Sequence, residues 1–286
     1  MQNDPIHILS LGAGVQSSTL ALMAARGELP CFPAPHCAIF ADTGDEPAEV
    51  YKWLEWLTAE IRRQPYSFPI YTVAAPKSLS DTALTPKVTK DGRPYFVSAI
   101  PTYSLHPDGT IGKVRQRTCT RDFKLRPLFR LAKKIAAVPR KKKSTVGIYV
   151  KQWVGISRDE IIRMKPSREW WAETCWPLID ANMTRNDCLR WMAERGYPEP
   201  PRSACVFCPF HSDNEWRRIK ERDPESWAKA VKFDHDFREA KKTTSSQKTV
   251  QFLHRSCKPL DEVEFTPSTS PQMELWANEC SGMCGN

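Results

Sequence analysis

The chain has 286 residues, 41% of them hydrophobic and 26% charged, with a formal net charge of +9 and ten cysteines. That length and balance suit one large or two modest globular domains; no apolar run is long enough to span a membrane, and the first residues lack a signal-peptide core. A cytoplasmic chain with no membrane partner is the expectation, and its positive charge favours a polyanionic partner.

In a reducing compartment ten cysteines point to metal or sulfur chemistry rather than disulfides. Cys31, Cys37, Cys175 and Cys188 sit in or beside apolar segments and read as packing residues.

Residues 6–11 are apolar, followed by Gly12-Ala13-Gly14-Val15-Gln16-Ser17-Ser18-Thr19 and then the helical pattern of Leu20, Leu22 and Met23. The spacing predicts a buried strand, a tight turn and a helix opening at Ser17-Ser18-Thr19. Gly12 and Gly14 allow close ligand approach and positive φ, and the helix start offers free N–H groups to an anion. A second apolar run, residues 36–41, ends at Asp42-Thr43-Gly44-Asp45-Glu46-Pro47, where open α/β sheets place ligand contacts. A helical pattern over 49–57 and a strand at 70–74 complete an alternation that predicts a doubly wound parallel sheet.

Residues 75–114 are rich in Ser, Thr, Pro and Gly and read as a surface excursion, a candidate substrate-facing lid. A basic helix opens around Cys119-Thr120-Arg121-Asp122-Phe123-Lys124, and the run Arg140-Lys141-Lys142-Lys143 follows. Strand patterns at 146–150 and 153–156 lead to Gly155-Ile156-Ser157-Arg158-Asp159-Glu160, where Ser157 and Glu160 predict a capping box. Thr184 with Asp187 starts another helix, stopped at Gly196-Tyr197-Pro198. The composition shift near residue 165 divides the chain into 1–165 and a helical, cysteine-rich 166–286. Cys205-Val206-Phe207-Cys208 can ligate one metal or two corners of an iron–sulfur cluster; a zinc knuckle completed by Cys280, Cys284 or His211 stands as the alternative.

The Gly12–Ser18 loop resembles the pyrophosphate loop of the N-type ATP pyrophosphatases, usually Ser-Gly-Gly-x-Asp-Ser-Thr, departing from it at Gly12 and Gln16. A Gln hydrogen-bonds but cannot balance a cation as a carboxylate does. The turn Asp42-Thr43-Gly44 resembles the second motif of the phosphoadenylyl-sulfate reductase branch. The segment Gly155-Ile156-Ser157-Arg158-Asp159-Glu160-Ile161-Ile162-Arg163 resembles the family element whose basic side chain faces the nucleotide phosphates. The resemblance runs from Ser10 to Cys284. It implies an adenine nucleotide α-hydrolase-like fold binding ATP with Mg2+ through Gly12, Ala13, Gly14, Gln16, Ser17, Ser18, Asp42, Thr43, Gly44, Gly155 and Arg163.

Cys119, Cys205 and Cys208 match the three-cysteine [4Fe-4S] pattern of tRNA thiolation enzymes, with Cys284, Cys280 or Cys257 open as a fourth ligand. The implied activity is a sulfurtransferase that adenylates a nucleic acid, tRNA or DNA, with Lys124 and the basic run holding the polyanion. A cysteine desulfurase or a thiol reductant would then be the sulfur-side partner, and a homodimer stays open. Glu279-Cys280 resembles the tail of phosphoadenylyl-sulfate reductases, so a reductase of adenylyl sulfate with Cys280 as attacking thiol is the alternative. A non-catalytic nucleotide-binding module is the third reading.

Overall fold

The computed structural model describes residues 4–29, 31–96, 99–112, 118–140, 147–242 and 249–265. The first half runs β1 (Ile6–Leu11), α1 (Val15–Arg26), β2 (Cys37–Asp42), α2 (Ala48–Arg62) and β3 (Ile70–Ala74). Short elements follow: α3 (Leu79–Leu84), β4 (Lys87–Val88), β5 (Pro94–Tyr95), β6 (Tyr103–Leu105) and β7 (Ile111–Gly112). A π-helical turn (Thr120–Leu125) runs into α4 (Arg126–Ile135), then come β8 (Val150–Val154), a 3-10 turn (Arg158–Arg163), β9 (Ala172–Cys175), α5 (Pro177–Asp180) and α6 (Arg185–Glu194). The chain continues through α7 (Asp213–Arg222), α8 (Pro224–Lys242), β10 (Val250–Phe252) and a 3-10 turn at Leu260–Glu262.

Five of these strands form an all-parallel sheet in the order β3-β2-β1-β8-β9. Such a sheet is buried on both faces, which is why β2 is apolar almost throughout. One face packs against α1, α2 and α6 through Leu9, Phe40, Trp53, Leu57 and Trp191; the other packs against α4 through Ile8, Ile39, Leu128 and Trp171. The protein is therefore an α/β fold with helices on both sheet faces. From β1 the strand order runs one way through β2 and β3, then jumps across β1 to β8, so the switch point lies between β1 and β8. Ligand crevices in open α/β sheets form outside the carboxyl ends of the strands at such a point.

The sheet and its helices run on past residue 165, since β9 pairs with β8 and α6 shares the core beneath α1. α6 carries the expected capping box of Thr184 and Asp187, and Gly196 takes the left-handed conformation just beyond it, at φ 67°. A second core joins Leu79 and Ala83 of α3, Ile100, Phe123, Val206, Phe207, Trp216 of α7, Phe233 and Phe237 of α8, Leu253 and Leu260.

The excursion at 75–114 differs from a plain surface lid. Ala99, Ile100, Thr102 and Ser104 are buried, and β6 pairs antiparallel with β7 and with β10. Short polar strands of this kind have no recognisable period of their own and depend on a distant partner. Among the cysteines, Cys37 and Cys188 are buried core residues whose thiols burial pushes up to about 11 and about 12, Cys175 packs at the edge, and Cys31 is exposed. No helix among the described residues is long and apolar enough to cross a membrane.

Candidate nucleotide site at the sheet switch point

The turn after β1 carries its positive φ at Ala13 (59°), not at a glycine, and Gly14 is extended at φ −92°. The expectation of positive φ at Gly12 and Gly14 is corrected accordingly. Their missing side chains serve approach instead: a Cβ on Gly12 would stand 3.5 Å from Ser17 Oγ, and one on Gly14 would stand 3.5 Å from Ser203 Cβ. The Gly12 N–H donates to Ser17 Oγ at 3.2 Å, and that hydroxyl donates to the Gly14 carbonyl at 3.3 Å, which closes the loop on itself.

α1 starts at Val15, ahead of the expected Ser17, with no side-chain cap and no acidic residue in its first turn. Its unsatisfied N–H groups and the positive end of its dipole therefore meet no anion from the protein's own side chains at that cap. Ser18 is turned inward: it is fully buried and its Oγ accepts the Trp53 indole N–H at 2.9 Å. Gly155 packs directly on the helix start, where a Cβ would lie 2.8 Å from Ser17 N.

Gln16 is buried and held on both ends of its amide. Its Nε2 donates to Ser157 Oγ (3.3 Å) and to Glu160 Oε2 (3.2 Å), while its Oε1 accepts from Arg185 Nη1 (3.2 Å). Glu160 also forms an ion pair with Arg163, through its other oxygen. The expected capping box at Ser157 does not form. Ser157 donates instead to Asp159 Oδ1 at 2.6 Å, and the segment closes as a 3-10 turn. Gln16 competes for the hydroxyl from 141 residues away in sequence, a contact no local pattern announces.

At the end of β2, Asp42 Oδ1 accepts from Gly44 N (2.8 Å) and Tyr51 Oη (2.9 Å); burial first, then the Asp42 hydrogen bond, pushes the Tyr51 phenol well up. Gly44 is left-handed at φ 77°, as the turn requires. Thr43 donates to Glu46 Oε1 at 3.1 Å and lies 3.3 Å from Cys205 Sγ. Lys124 Nζ stands 3.5 Å from Glu46 Oε1, with that carboxylate inaccessible to solvent. Lys124 is thus engaged with Glu46 rather than displayed on the basic surface; Lys141, Lys142 and Lys143 lie outside the described residues.

The segment holding Ser203 to Val206 crosses the carboxyl ends of β1 and β2. Ser203 faces the Gly12 and Gly14 loop, Cys205 faces Thr43, and Val206 N donates to Asp45 O at 2.9 Å. The Ser203 hydroxyl and Glu46 Oε2 are buried with no hydrogen-bond partner, and a buried polar atom of that kind is costly unless something satisfies it.

Burial, reinforced by Glu46, raises the Cys205 thiol well above its usual range, and Lys124 only partly opposes this. Cys208 N donates to Cys205 O, and Cys119 packs at the same core edge as Cys205. The His211 Nε2 donates to Cys205 O at 2.9 Å, and burial pulls its pKa down to about 3. Among the described residues no group of three or more His, Cys, Asp or Glu side chains is placed to hold a metal ion; Cys280 and Cys284 lie outside them.

Of the expected nucleotide residues, the structure gathers Gly12, Ala13, Gly14, Gln16, Ser17, Gly155 and Arg163 at the β1–β8 switch point. It sets Asp42, Thr43 and Gly44 one strand away. Glu46, already part of the turn after β2 where ligand contacts are expected, belongs to the same surroundings, as do Arg185 and Ser203, which carry no local signal in the sequence. No protein-family model matches the chain, and no curated protein matches it.

Proposed function

We propose that the chain is an ATP-binding enzyme of the pyrophosphatase type that adenylates an oxygen of a nucleic acid, tRNA or DNA, and replaces it with sulfur. The observation that carries this reading is the placement of Ser203 and Cys205. One short segment sets an unsatisfied hydroxyl against the Gly12–Gly14 turn and a thiol against the Asp42–Gly44 turn. A phosphate chain supplies the acceptors that the Ser203 hydroxyl and the uncapped N–H groups of α1 lack, so the residues present fit a nucleotide.

In this reading the α1 N-terminus, Ser17 and Ser203 hold the phosphates, and Arg163 stabilises the pyrophosphate as it leaves. The acceptor oxygen attacks the α-phosphorus, and a sulfur nucleophile then displaces AMP from the activated carbon. The described cysteines do not by themselves fit a three-thiolate iron centre, because Cys119, Cys205 and Cys208 are not gathered into a three-ligand group. No step here runs through a cluster; the sulfur source is a persulfide from a cysteine desulfurase or an equivalent donor, whose outer sulfur bonds to the carbon as AMP leaves. A thiol reductant then cleaves the resulting S–S bond, releasing the thiolated product and ending as a disulfide with the donor cysteine.

The reading is tested by pyrophosphate release from ATP with and without tRNA or DNA, followed by mass analysis of the nucleosides. Nucleic-acid-stimulated release with gain of sulfur supports it. Sulfite release from adenylyl sulfate, with no pyrophosphate from ATP, would replace it by the reductase reading. Iron analysis and the visible spectrum of anaerobically purified protein decide the cluster separately.

A further inference from the structure

The loop that Gly12–Ser18 resembles carries a carboxylate at position 16, and this chain carries Gln16 there. The structure shows where that amide is directed. Its donor end meets Glu160 Oε2 at 3.2 Å and its acceptor end meets an Arg185 guanidinium nitrogen at 3.2 Å. With a carboxylate on one side and a cation on the other, only one orientation of the buried amide satisfies both partners. A carboxylate therefore stands one hydrogen bond from the loop, delivered from 144 residues further along the chain.

The other acidic groups nearby are differently engaged. The first turn of α1 contains none, and Asp159 Oδ1 accepts from both Ser157 Oγ (2.6 Å) and the Arg185 backbone N–H (3.1 Å). Asp42 Oδ1 takes Gly44 and Tyr51, and Glu46, at the end of β2 one strand away, is paired with Thr43 and Lys124 through its Oε1. Glu160, largely buried and shared between Gln16 and Arg163, is the carboxylate next to the turn that faces Ser203. Mg2+ bound with a nucleotide is usually met by one or two carboxylates plus the phosphates, and oxygen donors of this kind fit it.

We propose that Glu160 is the carboxylate through which this site meets the divalent cation of a bound nucleotide, with Gln16 as the positioning residue that holds it at the loop. Two distant segments together do what one loop carboxylate does elsewhere. When Glu160 turns to the cation, Arg163 is released towards the phosphates, which reconciles its ion pair here with its expected role. The inference rests on the nucleotide-binding reading above.

The test is calorimetric titration of ATP into the full chain, with Mg2+ and with EDTA, for wild type, Glu160→Gln, and Glu160→Gln combined with Gln16→Asp. Mg2+ should tighten binding to wild type by about tenfold or more. Glu160→Gln should lose that factor, with an affinity in EDTA no weaker than wild type because Arg163 loses its ion pair there, and Gln16→Asp should restore the factor in the double variant. A Glu160→Gln protein with the wild-type Mg2+ factor overturns the inference, as does wild-type binding that ignores Mg2+. Wild type that binds no ATP in either buffer overturns the nucleotide reading itself. If Glu160→Gln does not fold, Glu160→Asp takes its place: the shortened carboxylate should reduce the Mg2+ factor and leave EDTA affinity intact, and an unchanged factor refutes.

Discussion

Gly155→Ala separates two demands that glycines meet at this site. Gly155 does not take a positive φ, so alanine adds no backbone strain there and any cost is contact alone. The new methyl would lie 2.8 Å from Ser17 N, 2.9 Å from Ser17 Cα and 3.2 Å from the Gln16 carbonyl carbon. All three are backbone atoms, so no rotamer change relieves the clash, and the end of β8 must move away from the start of α1. Forced overpacking of this kind costs about 1–3 kcal/mol. With an unfolding entropy of about 2.1 cal/mol/K per residue, a chain of this length loses roughly 1.7 °C of Tm per kcal/mol, so the expected drop is about 2–5 °C.

Gly12→Ala and Gly14→Ala provide the contrast. Their methyls would sit at ordinary contact distances, 3.5 Å from Ser17 Oγ and from Ser203 Cβ respectively. Both proteins should melt within about 1 °C of wild type, yet bind ATP at least about tenfold more weakly because the methyl fills the approach to the loop. Differential scanning calorimetry and ATP titration on the three variants check this. A Gly155→Ala protein that melts with wild type would refute the close packing of β8 on α1 as the reason for glycine there.

Three further outcomes follow from neighbouring contacts. Ser203→Ala removes a buried hydroxyl with no partner, so urea stability should hold or rise slightly, while ATP affinity falls by about tenfold or more if the hydroxyl meets a charged phosphate; equal ATP affinity removes Ser203 from the site. Lys124→Met leaves the inaccessible Glu46 carboxylate without this cation and should cost about 3–5 kcal/mol in urea unfolding. Adding Glu46→Gln should recover most of that, and a single variant as stable as wild type would show the pair to be dispensable. His254 is held neutral: burial lowers its pKa from 6.5, its Nε2 donates to Asp213, and its Nδ1 accepts from Ser256 N. The unfolded chain then binds the proton more readily, so stability falls as pH drops below 6.5, by at most about 1.4 kcal/mol per pH unit from this group. His254→Gln should flatten that slope, measured by urea unfolding between neutral and mildly acidic pH; an unchanged slope assigns it elsewhere.

Local pattern made the sheet legible. The apolar runs of β1 and β2, the glycine turn between β1 and α1, and the Thr184 and Asp187 cap all act within a few residues, and each stands where its chemistry places it. The failures share a cause as well. Ser157 and Glu160 have the spacing of a capping box within four residues, whereas Gln16 and Arg185, both distant in sequence, decide where those side chains turn. Ser18 has the position of a phosphate ligand in the loop, but Trp53, on α2, holds its hydroxyl in the core. Residues 99–105 looked like a loop because their pairing partner, Val250–Phe252, is supplied by the far end of the chain.

That late pairing bears on how the protein is made. The five-stranded sheet is complete once Cys175 has been synthesised, but the second core waits for Leu253 and Leu260. Both of their backbone N–H groups are anchored by the Asp234 carboxylate, at 3.3 and 2.9 Å. A nascent chain emerging at 5–20 residues per second, to order of magnitude, therefore displays a finished sheet with its crevice open for several seconds before Ser203, α7 and α8 are all in place. During that interval Phe123 and Ile100 have no second core to enter. A ribosome stalled near residue 240 would hold a protein whose sheet resists protease while the segment between α3 and the start of α4 is cut.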